Sequence, residues 1–330
     1  MTMEIWLLVF VSLSTVVLII TFFILIFLYL TTNPYANIYR YESEKTFYDI
    51  KKKTEEKFPF GLTEKPVINL SVIIPAYNEE KRLCTTLNEM VEFLEGKKEK
   101  HAKKFSYEII IVDDGSTDRT SDIAREYAQE KELEVIRIMK LVKNRGKGGA
   151  VRLGMLSARG EFLIFADADG ATKFSDFESL EKKMAKSIAY NWNGSMAVVC
   201  GSRAHLTENV VAKRNPLRNI LMYGFHFAVW FLCVRGIKDT QCGFKLFSRQ
   251  AARLLFMNLH VERWAFDVDL LFLAKKLNIE VYEVPVNWHE VDGSKLVPVF
   301  SWLQMAKDLL LIRLRYGLGA WKIEPPHRLQ

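Results

Sequence analysis

The stretch "EFLIFADADGAT", residues 161–172, places an apolar run directly before two aspartates. The run predicts a buried strand, so Asp167 and Asp169 would follow at its carboxyl end. Two like charges this close repel each other, and a divalent cation between them would offset that repulsion. Because an isolated D-x-D is more often a solvated loop, the rest of the chain has to supply the context.

Alternating strands and helices precede this stretch. Apolar runs at 67–77, 107–114 and 133–139 predict three further strands, with apolar residues at helical spacing between them. After the first strand, Asn78 is predicted to cap a helix that carries Glu79 in its first turn. The series predicts an α/β fold with a mostly parallel central sheet covered on both faces.

Polar residues gather where the predicted strands end, which is where such sheets bind ligands. We expect them to line one cleft: Tyr77, Glu79, Asp113, Asp114, Asp167 and Asp169. Carboxylates alone repel an anionic ligand, whereas Mg²⁺ or Mn²⁺ shared with a diphosphate would hold it.

The glycine-rich stretch "NRGKGGAV", residues 144–151, begins another predicted helix. It lacks the third glycine of G-x-G-x-x-G and the Walker spacing, so neither a dinucleotide site nor a P-loop is indicated. Lys147 could approach a phosphate from this helix start, or the glycines could serve close packing of helix on sheet. The residues leave both interpretations open.

The N-terminal segment is predicted to be a membrane anchor. Ile5 to Leu30 contains no charged residue and would span roughly 39 Å as a helix. Lysine and arginine follow this run and none precedes it, which favours a cytosolic location for the remaining chain. We therefore predict an anchor at 1–31 and a solvated cytosolic linker at 32–65.

Two apolar segments of the second half, 215–234 and 300–321, contain charged or polar interruptions. Arg218, Asn219 and His226 interrupt the first, which predicts a helix at the membrane interface in place of a second span. Tryptophan and basic residues in the second segment favour the same location, and packing in the core is the alternative for both.

Composition narrows the class of protein without choosing a ligand. The formal net charge of +7 favours anionic partners, which could be phosphates, acidic lipids or nucleic acid. The four cysteines lack metal-ligand spacing, so neither a zinc site nor a disulfide framework is indicated.

Three motifs together carry a family resemblance: "SVIIPAYNEE", "VDDGSTD" and "ADADGAT" at successive strand ends. In this order they resemble the nucleotide-sugar half of the inverting GT-A glycosyltransferases of family 2. Later stretches resemble the dolichyl-phosphate β-glucosyltransferases: "CGSRAHL", "DTQCGFKLF", "HVERWAFDVDLL" and "VNWHEVDGSKL". The resemblance implies a nucleotide-sugar-binding half at 66–210 and a half for the acceptor and membrane interface at 211–330.

The implied reaction is transfer of glucose from UDP-glucose to dolichyl phosphate, with inversion, to form dolichyl β-D-glucosyl phosphate for N-glycosylation. It implies a single-pass protein of the endoplasmic reticulum membrane with a cytosolic catalytic domain. The expected partners are UDP-glucose, dolichyl phosphate and membrane lipid, without nucleic acid. Alternatives are another lipid-phosphate glycosyltransferase with a GDP-mannose donor, a processive or protein-directed glycosyltransferase, and a silent nucleotide-sugar binder.

The resemblance also implies roles for residues of the donor site. Asp169, followed by Asp167, is the expected ligand of Mg²⁺ or Mn²⁺. Lys147, Asp167 and Arg203 are expected at the nucleotide sugar. The uridine would be surrounded by Pro75, Tyr77, Glu79, Val112, Asp114, Ala166 and Ala168.

For the acceptor side, Arg203 and Lys295 are the cations expected to meet the acceptor phosphate. Asp239 and Asp267 are the candidate catalytic carboxylates. On a helix, Asp267 and Asp269 lie about 200° apart, so only one can face the site, and we favour Asp267.

Overall fold

The computed structural model describes residues 2–101, 104–190, 196–206, 216–291 and 298–324, without the side chains of 2, 4, 190, 216–221, 298 and 299. The helices are α1 (Thr2–Thr31), α2 (Leu83–Lys100), α3 (Thr120–Glu130), α4 (Lys147–Leu156), α5 (Phe177–Tyr190), α6 (Pro216–Leu232), α7 (Arg249–Asn258), α8 (Phe266–Lys276) and α9 (Pro298–Gly317). The strands are β1 (Thr46–Asp49), β2 (Thr54–Lys57), β3 (Ile68–Ala76), β4 (Tyr107–Asp113), β5 (Ile136–Lys140), β6 (Gly160–Ala166), β7 (Ala197–Ser202), β8 (Phe244–Ser248) and β9 (Glu280–Pro285).

Seven strands form the central sheet in the order β5-β4-β3-β6-β8-β7-β9. Neighbours are parallel except at β8, which is antiparallel to both β6 and β7. The predicted mostly parallel sheet is therefore confirmed. Because β8 runs in the opposite direction, its first residue, Phe244, pairs with Ala166 at the end of β6. The edge where the parallel strands end thus also receives the turn that precedes β8.

Helices cover both faces of the sheet, as the apolar strands require. One core lies beneath α4, α7 and α8, and the other beneath α2, α3 and α5. The periodic residues of α2, among them Leu83, Leu87 and Leu94, are fully buried. Burial of these side chains holds the helices against the sheet and fixes the loops at its edges.

The start of α2 differs from the sequence prediction. Asn78 does not cap the helix, which begins five residues later at Leu83. Asn78 adopts φ 55°, and its Oδ1 accepts a hydrogen bond from the backbone N–H of Thr117 at 2.9 Å. The loop after β4 therefore holds Asn78 in place. Glu79, expected in the first turn of the helix, instead forms an ion pair with Arg82 at 2.6 Å before the helix begins.

The segment 32–65, expected to be a solvated linker, folds against the sheet edge. Strands β1 and β2 form an antiparallel hairpin, and β1 packs against β5. Phe47 and Phe58 are buried with ring centroids 4.7 Å apart, and the guanidinium of Arg137 lies over the Phe47 ring. The aromatic residues on either side of the lysine run thus form a small apolar contact.

One sheet also crosses the predicted division at residue 210. Strand β7, before the division, pairs with β8 and β9, which follow it. The two predicted halves are therefore parts of one fold unit.

Helix α1 projects from this unit with an apolar surface. Within the described ranges, Ile5–Thr31 is the one helix long and apolar enough to cross a membrane. The chain after α1 returns to the fold, because Pro34 O accepts a hydrogen bond from Lys322 N–H at 2.7 Å. Next to this contact, the rings of His260 and Trp321 stack with centroids 4.3 Å apart.

Helices α6 and α9 pack against each other and leave apolar side chains exposed. Their inner residues, such as Phe225 and Leu309, are buried in the core. The exposed ones are Tyr223, Phe227, Trp230, Phe231, Phe300, Leu303 and Leu310, which we call the apolar face. Core packing, the alternative raised by the sequence, thus accounts for one side of each helix and leaves the other side unexplained.

Candidate active site

A cavity of about 530 Å³ lies at the carboxyl ends of the parallel strands. The sheet brings together loops that are far apart in sequence, because β3, β4, β6, β7 and β9 all end at this edge. The predicted site residues that line the cavity are Pro75, Tyr77, Glu79, Asp114, Lys147, Asp167, Ala168, Asp169, Arg203 and Asp267.

Asp167 is held between a cation and a glycine. Its Oδ1 lies 2.5 Å from Lys147 Nζ, which extends from the first residue of α4. On its other side, a Cβ at Gly243 would clash with the Asp167 carboxylate. Since Gly243 precedes the antiparallel strand β8, the reversed direction of that strand places it here.

The glycines at the start of α4 have the packing role that the sequence left open. A Cβ at Gly148 would clash with the Phe266 side chain, so α4 and α8 approach more closely than any other residue would allow. Lys147 lines the cavity from the same turn. The motif therefore serves helix packing and also brings an ammonium group to the site.

Asp114 binds the loop that carries Lys147. Its two carboxylate oxygens accept hydrogen bonds from the backbone N–H groups of Arg145 at 2.7 Å and Gly146 at 2.9 Å. Burial raises the pKa of Asp114 to about 6, although both hydrogen bonds oppose that change. The carboxylate thus organises the loop at the cavity wall.

Asp169 is the better placed of the two predicted metal ligands. Its Oδ1 accepts the Ala171 N–H at 3.0 Å, whereas Asp167 is engaged by Lys147. In the part of the chain that the structure describes, no group of three or more His, Cys, Asp or Glu side chains could hold a metal. Two carboxylates completed by phosphate oxygens and water are a donor set that suits Mg²⁺ or Mn²⁺, so the residues fit.

Arg203 and Asp239 form a two-pronged ion pair. Arg203 Nε and Nη2 lie 2.8 and 2.9 Å from the carboxylate oxygens of Asp239. Burial disfavours the charged carboxylate, but these hydrogen bonds outweigh it and hold the pKa of Asp239 below its usual value. Asp239 is not among the cavity-lining residues. Its position suits orientation of Arg203, and a direct catalytic role for Asp239 stays a prediction.

Asp267 pairs with a lysine that the sequence analysis did not single out. Lys245 Nζ, fully buried on β8, lies 2.6 Å from Asp267 Oδ1 and 2.6 Å from Cys242 O. Asp269, two residues later, instead accepts hydrogen bonds from the backbone N–H groups of His260 and Val261. Of the two aspartates, Asp267 is the one that lines the cavity.

Three other residues expected at the cleft, Asp113, Val112 and Ala166, do not line the cavity. Val112 and Ala166 are buried in the ends of β4 and β6, and the cavity is lined by their neighbours in the following loops. Lys295 lies outside the described residues.

Several lining residues were missed by sequence reasoning, namely Arg82, Asn144, Gln241, Arg263, Trp264 and Trp288. Arg263 and Trp264 stand in the "HVERW" segment just before α8. That segment was recognised by resemblance, but no periodicity or spacing marked these two residues as facing the site. The guanidinium of Arg203 lies 5.6 Å from the centre of the Trp288 ring, which follows β9.

Sequence comparison with known proteins identifies the family of this chain. Residues 71–256 match the family described as "Glycosyl transferase family 2". Dolichyl-phosphate beta-glucosyltransferase of Homo sapiens is 52% identical over 299 residues, covering 91% of this chain and 91% of that protein. The proteins of the same name from Drosophila melanogaster and Saccharomyces cerevisiae are 53% and 47% identical, covering 88% and 77% of both chains.

Solved structures support the fold. Glucosyl-3-phosphoglycerate synthase from Mycobacterium tuberculosis, in complex with Mn²⁺, UDP and glucosyl-3-phosphoglycerate, matches with a TM-score of 0.50 and 17% identity over 75% of this chain and 80% of that chain. Its complex with Mg²⁺ and UDP also gives a TM-score of 0.50, with 16% identity over 78% and 81% of the chains. The GT-A-like architecture is thus shared at low identity, while the curated relatives match nearly the whole chain. The chain belongs to glycosyltransferase family 2 and, within it, to the dolichyl-phosphate β-glucosyltransferases.

Proposed function

We propose that this enzyme transfers glucose from UDP-glucose to dolichyl phosphate, with inversion at the anomeric carbon. The observation that carries the proposal is the cavity itself, where Asp167, Asp169, Lys147 and Arg203 meet at one sheet edge beside Tyr77. The cavity thus combines carboxylates that suit a divalent cation, fixed cations that suit phosphate, and an aromatic ring on which the uracil base of UDP could stack. The names of the curated relatives support glucose and dolichyl phosphate as substrates.

In the proposed reaction, an acceptor phosphate oxygen attacks the anomeric carbon from the side opposite UDP. The new carbon–oxygen bond forms as the bond to the diphosphate breaks, and the electron pair leaves with UDP. Lys147 and Arg203 are fixed cations near the developing negative charge, and such preorganised groups stabilise a transition state without having to rotate into place.

The acceptor needs little help from a general base. A phosphate monoester has its second pKa near ~6, so its oxygen is largely deprotonated at neutral pH. The two predicted carboxylates agree with this, because Asp239 is bound by Arg203 and Asp267 by Lys245. We assign both to positioning: Asp239 orients Arg203, and Asp267 keeps Lys245 charged beneath the cavity.

Mg²⁺ or Mn²⁺ bound by Asp169, with Asp167 as the second ligand, would neutralise charge on the departing diphosphate. The chain's own contribution is to orient these two side chains. Thr86 Oγ1 donates a hydrogen bond to Ala168 O at 2.9 Å, which ties the loop between the aspartates to α2.

We place the enzyme in the endoplasmic reticulum membrane, with α1 as its single span and the catalytic cavity in the cytosol. The apolar helix and the basic residues after it support this orientation. Dolichyl phosphate could then reach the cavity from the bilayer while UDP-glucose arrives from the cytosol.

The direct test supplies membranes containing the full chain with radiolabelled UDP-glucose or GDP-mannose and dolichyl phosphate, then measures label in the lipid extract. We expect label from UDP-glucose, none from GDP-mannose, and loss of transfer in Asp169→Asn. Asp122→Asn, an exposed aspartate on α3, is the matched control and should behave as wild type. Lipid labelling from GDP-mannose, or full transfer by Asp169→Asn at saturating Mg²⁺, would contradict the proposal.

A further inference from the structure

A second cavity, of about 740 Å³, lies at the cytosolic end of α1. Its walls are the end of α1 with residues 32–39, the loop at 260–263 and one side of α9. Arg263 also lines the catalytic cavity, and the other lining residues of the two cavities differ.

This second cavity is strongly basic. Six lining residues are lysine or arginine: Lys143, Arg145, Arg152, Arg263, Lys307 and Arg315. Glu262 and Asp308 are the acidic ones. Burial lowers the pKa of His260, also in the lining, to about 4, so this ring is neutral at cytosolic pH. A net positive charge therefore remains around the cavity and favours an anionic occupant.

The buried arginines of this cavity are only partly satisfied. The side chain of Arg145 is 7% exposed and pairs with Glu44, while that of Arg152 is 2% exposed and pairs with Glu262. Each nevertheless keeps a buried Nε with no hydrogen-bond partner among the described residues, as does Arg315. Because these Nε atoms have almost no exposed surface, they lie behind the cavity wall, and an anionic occupant would meet the terminal groups of the lining cations instead.

The location of the cavity suggests where such an occupant comes from. Thr31, Thr32 and Asn33 line it, and they stand where the candidate span Ile5–Thr31 ends. A helix that crosses a bilayer ends at the level of the lipid headgroups. Anionic oxygen acceptors at that level are the phosphates of membrane lipids.

We propose that this second cavity binds the phosphate headgroup of an anionic membrane phospholipid other than the acceptor. Lys143 and Lys307 lie exposed at its rim, and Arg145 and Arg152 lie buried in its wall. A bound headgroup would hold α9 and the segment after α1 together at the membrane surface. This site goes beyond the glucosyl transfer proposed above and does not depend on which sugar is transferred.

The test measures binding of phosphatidic acid to the full chain in detergent by native mass spectrometry, with phosphatidylcholine as the neutral comparison. Wild type should retain phosphatidic acid preferentially. Lys143→Glu combined with Lys307→Glu should weaken that binding by about tenfold or more, since charge-assisted contacts to the phosphate are lost. The matched control, Lys182→Glu with Lys186→Glu, reverses the charge of two lysines on α5. These lysines line neither cavity, so this variant should bind phosphatidic acid as wild type does.

Competition separates the sources of phosphate. Retention of phosphatidic acid in the presence of dolichyl phosphate supports a separate site. Displacement of phosphatidic acid by dolichyl phosphate would show that the cavity binds the acceptor, and would overturn the proposal. Displacement by equimolar inorganic phosphate, or equal binding by wild type and the Lys143/Lys307 variant, would also overturn it. If the charge reversal lowers Tm, the pair Lys143→Gln with Lys307→Gln repeats the measurement with a milder change and the same criteria.

Discussion

The Asp167 carboxylate has little freedom to rotate, because its two neighbours come from distant parts of the chain. Lys147 attracts it from α4, and the bare backbone of Gly243 allows it to approach β8. Precise placement matters for group transfer, since a shift of about 1 Å at a reacting centre can cost roughly a hundredfold in rate.

Gly243→Ala should therefore damage catalysis more than stability. The added methyl group has to displace the Asp167 carboxylate, and we expect kcat/KM to fall by roughly tenfold to a hundredfold. The matched control is Gly96→Ala, where a Cβ on α2 would meet nothing within 4 Å. That change should raise the free energy of unfolding by about 0.5–1 kcal/mol and leave turnover unchanged. Steady-state kinetics and thermal unfolding of both variants check the pair, and wild-type kcat/KM in Gly243→Ala would refute the proposed constraint.

The raised pKa of Asp114 predicts that binding of the donor, UDP-glucose, depends on pH. With its pKa raised to about 6 by burial, the carboxylate becomes protonated below that pH and accepts the loop N–H groups less well. UDP-glucose affinity should therefore fall as the pH drops through about 6. Calorimetry with UDP-glucose measures this cleanly, because its diphosphate, unlike a phosphate monoester, has no ionisation near that pH. Asp114→Asn should abolish the transition, whereas a transition that persists in this variant would assign it to another group.

The same carboxylate should act on stability with the opposite sign. Its folded pKa of about 6 lies above the ordinary value of 3.8, so the folded state holds the proton more tightly than the unfolded chain. The contribution of Asp114 to the free energy of unfolding is thus complete below about pH 4 and is lost as the pH rises through about 6. Measuring the free energy of unfolding of wild type and Asp114→Asn across this pH range separates the contribution of Asp114 from the contributions of other titrating groups.

Among the elements, the short turn at 42–44 connects the hairpin to the catalytic loop. Glu44 is fully buried, with Oε1 accepting the Val142 N–H at 3.0 Å and Oε2 lying 2.7 Å from Arg145 Nη2. Arg145 in turn donates its backbone N–H to Asp114. A segment that looked like a linker therefore braces the loop before α4.

Glu44→Ala should be strongly destabilising, because it leaves the buried Arg145 guanidinium without its carboxylate. Breaking a buried ion pair in this way costs about 3–5 kcal/mol. Glu42→Ala in the same turn is the control, since its pair with Lys45 is exposed to solvent and exposed ion pairs contribute little to stability. Denaturant unfolding of the two variants should show this contrast, and equal stabilities would show that the turn does not support the loop.

For the whole molecule, we predict two independent components of membrane attachment. Helix α1, the candidate span, would supply one, and the exposed apolar face of α6 and α9 would supply the other. Contiguous aromatic and aliphatic side chains on a protein surface are typical of contact with lipid or with another protein.

Deletion of residues 1–31 should consequently leave substantial membrane association, because burial of an aromatic side chain contributes about 1.5–3 kcal/mol. In the truncated chain, Phe227→Glu should release most of the protein, whereas Val67→Glu, an equally exposed position just before β3, should not. Sedimentation with vesicles measures both. Complete release of the truncated chain without any further change would assign attachment to α1 alone.

The predictability of this molecule from sequence depended on how local each signal was. The strands at 68–76, 107–113 and 160–166 were predicted because continuous apolar runs specify them, and their ends located most of the cavity. The antiparallel β8, Gly243 and Lys245 were missed because their partners Ala166, Asp167 and Asp267 lie far away in sequence. The brace from Glu44 to Arg145 was missed for the same reason, since a glutamate in a charged segment carries no sign of burial.

The hydrogen bond from Lys322 N–H to Pro34 O has a topological consequence. It places Pro34, where the chain enters the folded body after α1, beside Lys322, close to the last of the described residues. Joining two such neighbouring positions requires only a short connection, so the body suits circular permutation, with new ends opened in an exposed loop remote from both cavities. A membrane helix fused after residue 324 would then emerge from nearly the same place as α1 does. Engineered versions of this enzyme could therefore carry their membrane helix at either end of the chain.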